Sequence, residues 1–194
     1  MQASLNNFLY FIKQIVMGEG ALDGGIVRDV PIDLASVELS SNVALASDET
    51  NGRVLKVTNA NDSIFHLTRP IPRDYDEQSD LLKVRVLASQ ATVSTDNDVE
   101  LDSELYVKTA GSALSSDKDP TAPGTVLSTT EQWIEFDLSG NGLTRDDVAI
   151  FELITNGNND TASEEVLIHA IELVYRSTLV SYQDGDDANG NPLR

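Results

Sequence analysis

The chain has 194 residues, no cysteine, two histidines and one tryptophan, and 32 acidic against 13 basic side chains give it a formal charge of −19. Without cysteine there is neither a disulfide nor a thiolate metal site. The negative field repels phosphate backbones and anionic lipid, so direct binding to nucleic acid or membrane is not expected. The acidity fits solubility, a saline habitat or docking on a basic partner. At 40% apolar residues the chain can bury a core, and no apolar run reaches the length of a spanning helix. Met1 to Leu9 carries no basic segment and Lys13 interrupts the apolar stretch, so no secretory signal is expected: the protein is expected to be made in the cytoplasm and not exported by the usual route.

Residues 1–25 differ from the rest. Leu5, Phe8, Leu9, Ile12, Ile15 and Val16 fall on one stripe of a short helix, with Ser4 and Asn6 as candidate caps. Gly18, Gly20, Gly24 and Gly25 end it. Such a face packs on its own domain or reaches a neighbouring subunit; a helix on a glycine hinge favours an arm.

The body, residues 26–182, reads as strand after strand. Ile26–Ile32 is an edge strand, because Pro31 cannot donate to a ladder. Val37, Leu39, Val43 and Leu45 keep period two, as one long strand or a bent pair. Asn51-Gly52 is a hairpin signal before Val54–Val57. Ser63–Thr68 follows, and residues 69–80, with two prolines, are a loop or short helical turn. Leu82, Val84, Val86 and Ala88 alternate with Lys83, Arg85 and Leu87. Val99, Leu101, Leu105 and Val107 make another strand with Tyr106 on its other face, and residues 111–124 read as a long exposed loop.

The last third is the most regular. Ile134, Phe136 and Leu138 share a face, with Trp133 out of phase. Thr144–Asp147 suggests one helical turn capped by Thr144. Val148–Ile154 reads as a central strand, Asn156–Glu164 as a polar loop, and Val166–Tyr175 as a long strand with a bulge. Thr178–Tyr182 closes the sheet, and residues 183–194 form an acidic tail expected to lack order. Eight or nine strands without crossover helices predict an all-β, antiparallel β-sandwich of jelly-roll type with a short N-terminal helix or arm; an immunoglobulin-like sandwich is the alternative.

Catalytic chemistry has few candidates. His66 and His169 are the only imidazole bases, both lie in strands, and no G-x-S-x-G is present. Glu135 with Glu152, or Asp102 with Glu104, are carboxylate pairs that nothing selects from the other acids. Residues 96–98, 156–160 and 184–187 are hard-oxygen clusters, but none completes a calcium loop. No catalytic residue, metal or cofactor is therefore expected. For sugar, the outward rings Trp133 and Tyr106 are the candidate stacking platform.

Residues 133–177 also carry a resemblance. A strand ends in Phe136-Asp137-Leu138-Ser139-Gly140, Leu143-Thr144-Arg145-Asp146-Asp147 introduces the next, and a final strand ends in Glu172-Leu173-Val174-Tyr175-Arg176-Ser177. This resembles the closing strands of jelly-roll capsid cement or decoration proteins of tailed bacteriophages and, more loosely, of carbohydrate-binding modules. It covers under a quarter of the chain. Joined to the acidic, cysteine-free body and the apolar N-terminal stripe, the resemblance implies a virion structural protein that binds the major capsid protein. The stripe itself makes Leu5, Phe8, Leu9, Ile12, Ile15 and Val16 the expected subunit contact, and sandwich edges that pair between copies suggest a closed ring, a homotrimer. A non-catalytic carbohydrate-binding sandwich is the alternative.

Overall fold

The alternation that marks each strand also decides which side chains meet. In the computed structural model, residues 26–48, 52–57, 63–91, 99–118, 120–121, 123–156 and 165–178 are described. The predicted helix over 5–16, the predicted closing strand beyond Thr178 and the tail 183–194 lie outside them. So do the predicted hairpin residue Asn51 and most of the 156–164 loop.

Ten strands run through the described residues: β1 Ile26–Ile32, β2 Glu38–Leu39, β3 Val43–Asp48, β4 Gly52–Val57, β5 Ser63–Pro70, β6 Leu82–Gln90, β7 Glu100–Thr109, β8 Gln132–Asp137, β9 Asp147–Asn156 and β10 Val166–Ser177. The larger sheet has the order β3-β4-β10-β6-β8, with β1 also on β10; the smaller has β2-β5-β9-β7. Every pairing is antiparallel. The strands β4-β10-β6-β8 facing β5-β9-β7 give the jelly-roll weave, in which consecutive strands cross between sheets.

The count exceeds the expected eight or nine because Val37–Leu45 is a bent pair. The Val43 amide bonds the Ser40 carbonyl at 3.1 Å, and β2 and β3 leave that corner for different sheets. β10 is the hub. It pairs β6 along one edge and shares the other between β4 and β1, with a bulge between Ile168 and Ala170.

Inner residues of both sheets form one core. Phe136 on β8 meets Phe151 on β9 edge-on at 5.4 Å between centroids, and Phe65 on β5 lies 6.4 Å from Phe151. All three are buried, and each contributes about 2–3 kcal/mol through apolar area alone.

Two connections differ from the sequence reading, and a third, residues 69–80, is beyond Pro70 the expected connection, firmly anchored. Ile71 and Tyr75 are buried, and Asp74 accepts from Ser177 Oγ at 2.6 Å and Tyr175 Oη at 3.1 Å, with Arg28 Nε 3.3 Å away. That carboxylate ties β1 and β10 to the connection. At Thr144–Asp147 the capping roles are reversed: the Asp147 carboxylate accepts from the Thr144 amide at 2.8 Å and from its hydroxyl at 2.9 Å, in a turn rather than a helix.

Residues 111–118 and 123–127 lie along the edge of β7 that no other strand among the described residues pairs. Leu114 bridges to Lys108 and Val126 to Glu100. The Ser115 and Lys118 amides bond the Val107 and Leu105 carbonyls at 3.0 and 2.8 Å. In return the Leu105 and Val107 amides donate to Asp117 Oδ1 and Ser115 Oγ, both at 2.9 Å. The segment covers an edge that would otherwise invite pairing.

Candidate functional site

On β8 the residues Ile134 and Phe136 point inward, so Trp133, Glu135 and Asp137 must point outward. On β6 the same parity puts Lys83, Arg85, Leu87 and Ser89 on the outer face. Register then sets the neighbours. Trp133 sits opposite Leu87, Glu135 opposite Arg85 and Asp137 opposite Lys83, and on the other side of β6 Glu172 faces Arg85.

Trp133 is 38% exposed, among the few large apolar side chains that reach solvent. The Arg85 guanidinium lies 4.5 Å from the centroid of its ring. That cation also reaches Glu135 Oε1 at 3.2 Å and Glu172 Oε2 at 3.4 Å, while Lys83 Nζ bonds Glu135 Oε2 at 2.5 Å. Four charged groups are thereby fixed in a lattice beside one aromatic ring, on strands rather than loops.

The face continues across β10. Leu167 pairs with Ser89 on one side and Lys56 on the other. A groove of about 420 Å³ is lined by Ala46, Val54, Lys56, Ala91, Glu165 and Leu167, with Lys56 Nζ 2.8 Å from Glu165. From β8 to β3 the face crosses four strand spacings, about 19 Å.

Between ring and groove lies a constellation that sequence reasoning missed. Ser89 Oγ is 2.8 Å from His169 Nε2, and Glu131 Oε1 is 3.7 Å from His169 Nδ1. The order serine, imidazole, carboxylate is that of a hydrolase. The surroundings are not. Ser89 is 3% exposed, and the Gln90 and Ala91 amides that follow it already bond the Ser128 and Glu165 carbonyls at 2.8 Å, so neither is free to hold an oxyanion. The bulge turns His169 outward, and no local pattern could have paired it with a serine 80 residues away.

The other sequence candidates separate. Tyr106 projects from the outer face of the smaller sheet, with Leu105 and Val107 buried on either side. It and Trp133 stand on opposite outer faces, so the two rings do not form one platform. The Tyr106 hydroxyl donates to Glu104 Oε2 at 2.5 Å, which pushes its pKa up to about 12. Glu135 and Glu152 are split between the two faces in the same way. Asp102 accepts from the Ser103 amide at 2.8 Å, and Glu104 is held by Tyr106. His66 lies 3.2 Å from Glu152 on the smaller sheet. Among the described residues no group of three potential metal ligands is assembled. The clusters at 96–98 and 184–187, and most of 156–160, lie outside those residues, as do all six arm residues.

No protein-family model matches the chain, and no curated protein matches it. Solved structures of similar outline do exist. A xylan-binding module of family CBM15 is 14% identical, with a TM-score of 0.45 over 78% of this chain and 97% of that one. The CBM22-1 xylan-binding domain of Paenibacillus barcinonensis Xyn10C is 10% identical, with a TM-score of 0.46 over 79% of this chain and 96% of that one. Xylanase 10C of Cellvibrio japonicus, in complex with xylopentaose, is 12% identical at a TM-score of 0.41, over 75% of this chain and 28% of that one. At these identities and TM-scores the likenesses carry no argument about what this chain binds. The chain's own strand order makes it a jelly-roll β-sandwich.

Proposed function

We propose that this chain is a non-catalytic binding module for carbohydrate, with Trp133 on the outer face of the larger sheet as the ring on which a sugar stacks. One observation carries the reading: a solvent-reaching indole held on a strand by Arg85, within a lattice of fixed hydrogen-bonding groups. A sugar offers an apolar ring face and a rim of hydroxyls, and this surface offers the complement of both. The groove over Leu167 and Val54 gives a longer chain somewhere to continue. Retention on insoluble polysaccharide tests the reading. Trp133→Ala should lose retention while keeping the melting temperature within a few degrees. Equal retention of variant and parent would overturn it.

A second reading has its own observation. Ile26, Val27 and Val30 on β1 are 51%, 49% and 42% exposed, on a strand that among the described residues pairs only with β10. Exposed apolar residues on a sheet edge suit a contact between subunits. This favours a virion cement protein that docks on capsid subunits, joined to its own copies through β1 and the arm that precedes it. In the full chain, Phe8→Asp with Ile12→Asp should lower the mass seen by light scattering on a sizing column. An unchanged mass would sink the assembly role of the arm.

A further inference from the structure

We infer that the Trp133 face selects uncharged polysaccharide and rejects uronate-bearing or sulfated chains, and that Glu135 and Glu172 set this selectivity; the inference rests on the carbohydrate reading above.

A carboxylate or sulfate on a sugar is bound by a cation whose charge is not already matched. The two cations nearest Trp133 have their charge already matched. Lys83 is held by Glu135, and Arg85 is held by Glu135 and Glu172 while its guanidinium lies over the indole. Two positive and two negative charges leave the lattice neutral. Beyond it, Asp137 lies opposite Lys83 on β8 and Glu131 stands near His169 at the other end, while Glu165 and Lys56 cancel at the groove. An anionic sugar reaching the remaining N–H groups would set a further negative charge against Glu135 and Glu172, a like-charge contact that opposes binding. The charge of −19 adds a repulsive field that slows the approach of any polyanion. Neutral hydroxyls meet no such barrier. They can donate to the carboxylate oxygens and accept from the ammonium and guanidinium groups without displacing either.

Affinity electrophoresis of the full chain tests this, in native gels containing hydroxyethylcellulose, galactomannan or alginate. The parent should be retarded at least twofold by a neutral polymer and not by alginate, with neutral retardation unchanged by 0.3 M salt. The variant Glu135→Gln with Glu172→Gln keeps the side-chain shapes and releases Lys83 and Arg85. It should gain retardation in alginate that added salt removes. Parent retardation in alginate that Trp133→Ala abolishes would overturn the selectivity and leave the carbohydrate reading standing. A folded double variant with no alginate binding would overturn the role of the two glutamates. No retardation of the parent in any gel would overturn the carbohydrate reading and the inference with it.

Discussion

Arg85 lies over the ring of Trp133, 4.5 Å from its centroid, while the same guanidinium spans Glu135 on β8 and Glu172 on β10. One side chain thus fixes the aromatic ring and ties three strands across the outer face. It is only 25% exposed, so these contacts are partly shielded from solvent.

Arg85→Ala removes the cation over the indole and the partner of Glu172. A cation–π contact with partial burial is worth about 1 kcal/mol, and the exposed ion pairs add little. The expected cost is about 1–2 kcal/mol, a fall of roughly 3–6 °C in melting temperature for a domain this size. The emission maximum of Trp133, the single tryptophan, should shift as the ring loses its cover. An unaltered spectrum would mean that the ring is held by other contacts.

Phe151 touches both Phe65 in its own sheet and Phe136 in the facing sheet. Phe151→Ala should cost about 3–5 kcal/mol, because the rings on either side cannot close the void. Urea unfolding measures this as a lower midpoint at unchanged slope. A loss below about 1 kcal/mol would place the centre of the core elsewhere.

Asp74 controls the response to acid where β1, β10 and the 69–80 connection meet. Burial alone would raise its pKa; hydrogen bonds from Ser177 and Tyr175, with the Arg28 charge, outweigh burial and hold it below the ordinary 3.8. Folding therefore favours the ionised form. That stability is complete above the unfolded value and is lost as pH falls through the folded one. Asp74→Asn should cost about 2–3 kcal/mol at pH 7, the range for hydrogen bonds to a charged group. The gap between variant and parent should narrow as pH drops below 4. Comparing the two at each pH cancels the relief of repulsion that acid brings to a chain of charge −19. A gap constant down to pH 2 would contradict this role.

How much was legible in the sequence depended on whether the signal was local. Alternation gave β6 and β8, a nearly continuous apolar run gave β9, and Trp133 fell out of phase with Ile134 and Phe136, as found. It could not say that β8 and β7 belong to different sheets, so Trp133 and Tyr106 could be imagined side by side although they stand on opposite faces. Sheet membership is set by pairings between distant residues, such as Leu87 with Trp133. The 111–127 segment was hidden for another reason. It closes the β7 edge partly with the side chains of Ser115 and Asp117, so its composition reads as loop while it does part of a strand's work.

That substitution is open to test. Ser115→Ala with Asp117→Ala deprives the Val107 and Leu105 amides of their acceptors. Amide hydrogen exchange should speed up at these two positions by tenfold or more, while the buried strand β9 keeps its protection. Association of the variant should rise as the bared edge finds partners. Unchanged exchange at both amides would show that the edge is closed by something else.

The most direct test of the central claim uses the one tryptophan as its own reporter. Titrating the full chain with a soluble neutral polysaccharide while following Trp133 emission reads the proposed site without a label. A saturable change in intensity and wavelength, matching the affinity from calorimetry, is the predicted result. Calorimetric binding that leaves the emission unchanged, or no binding to any polysaccharide tried, would contradict it.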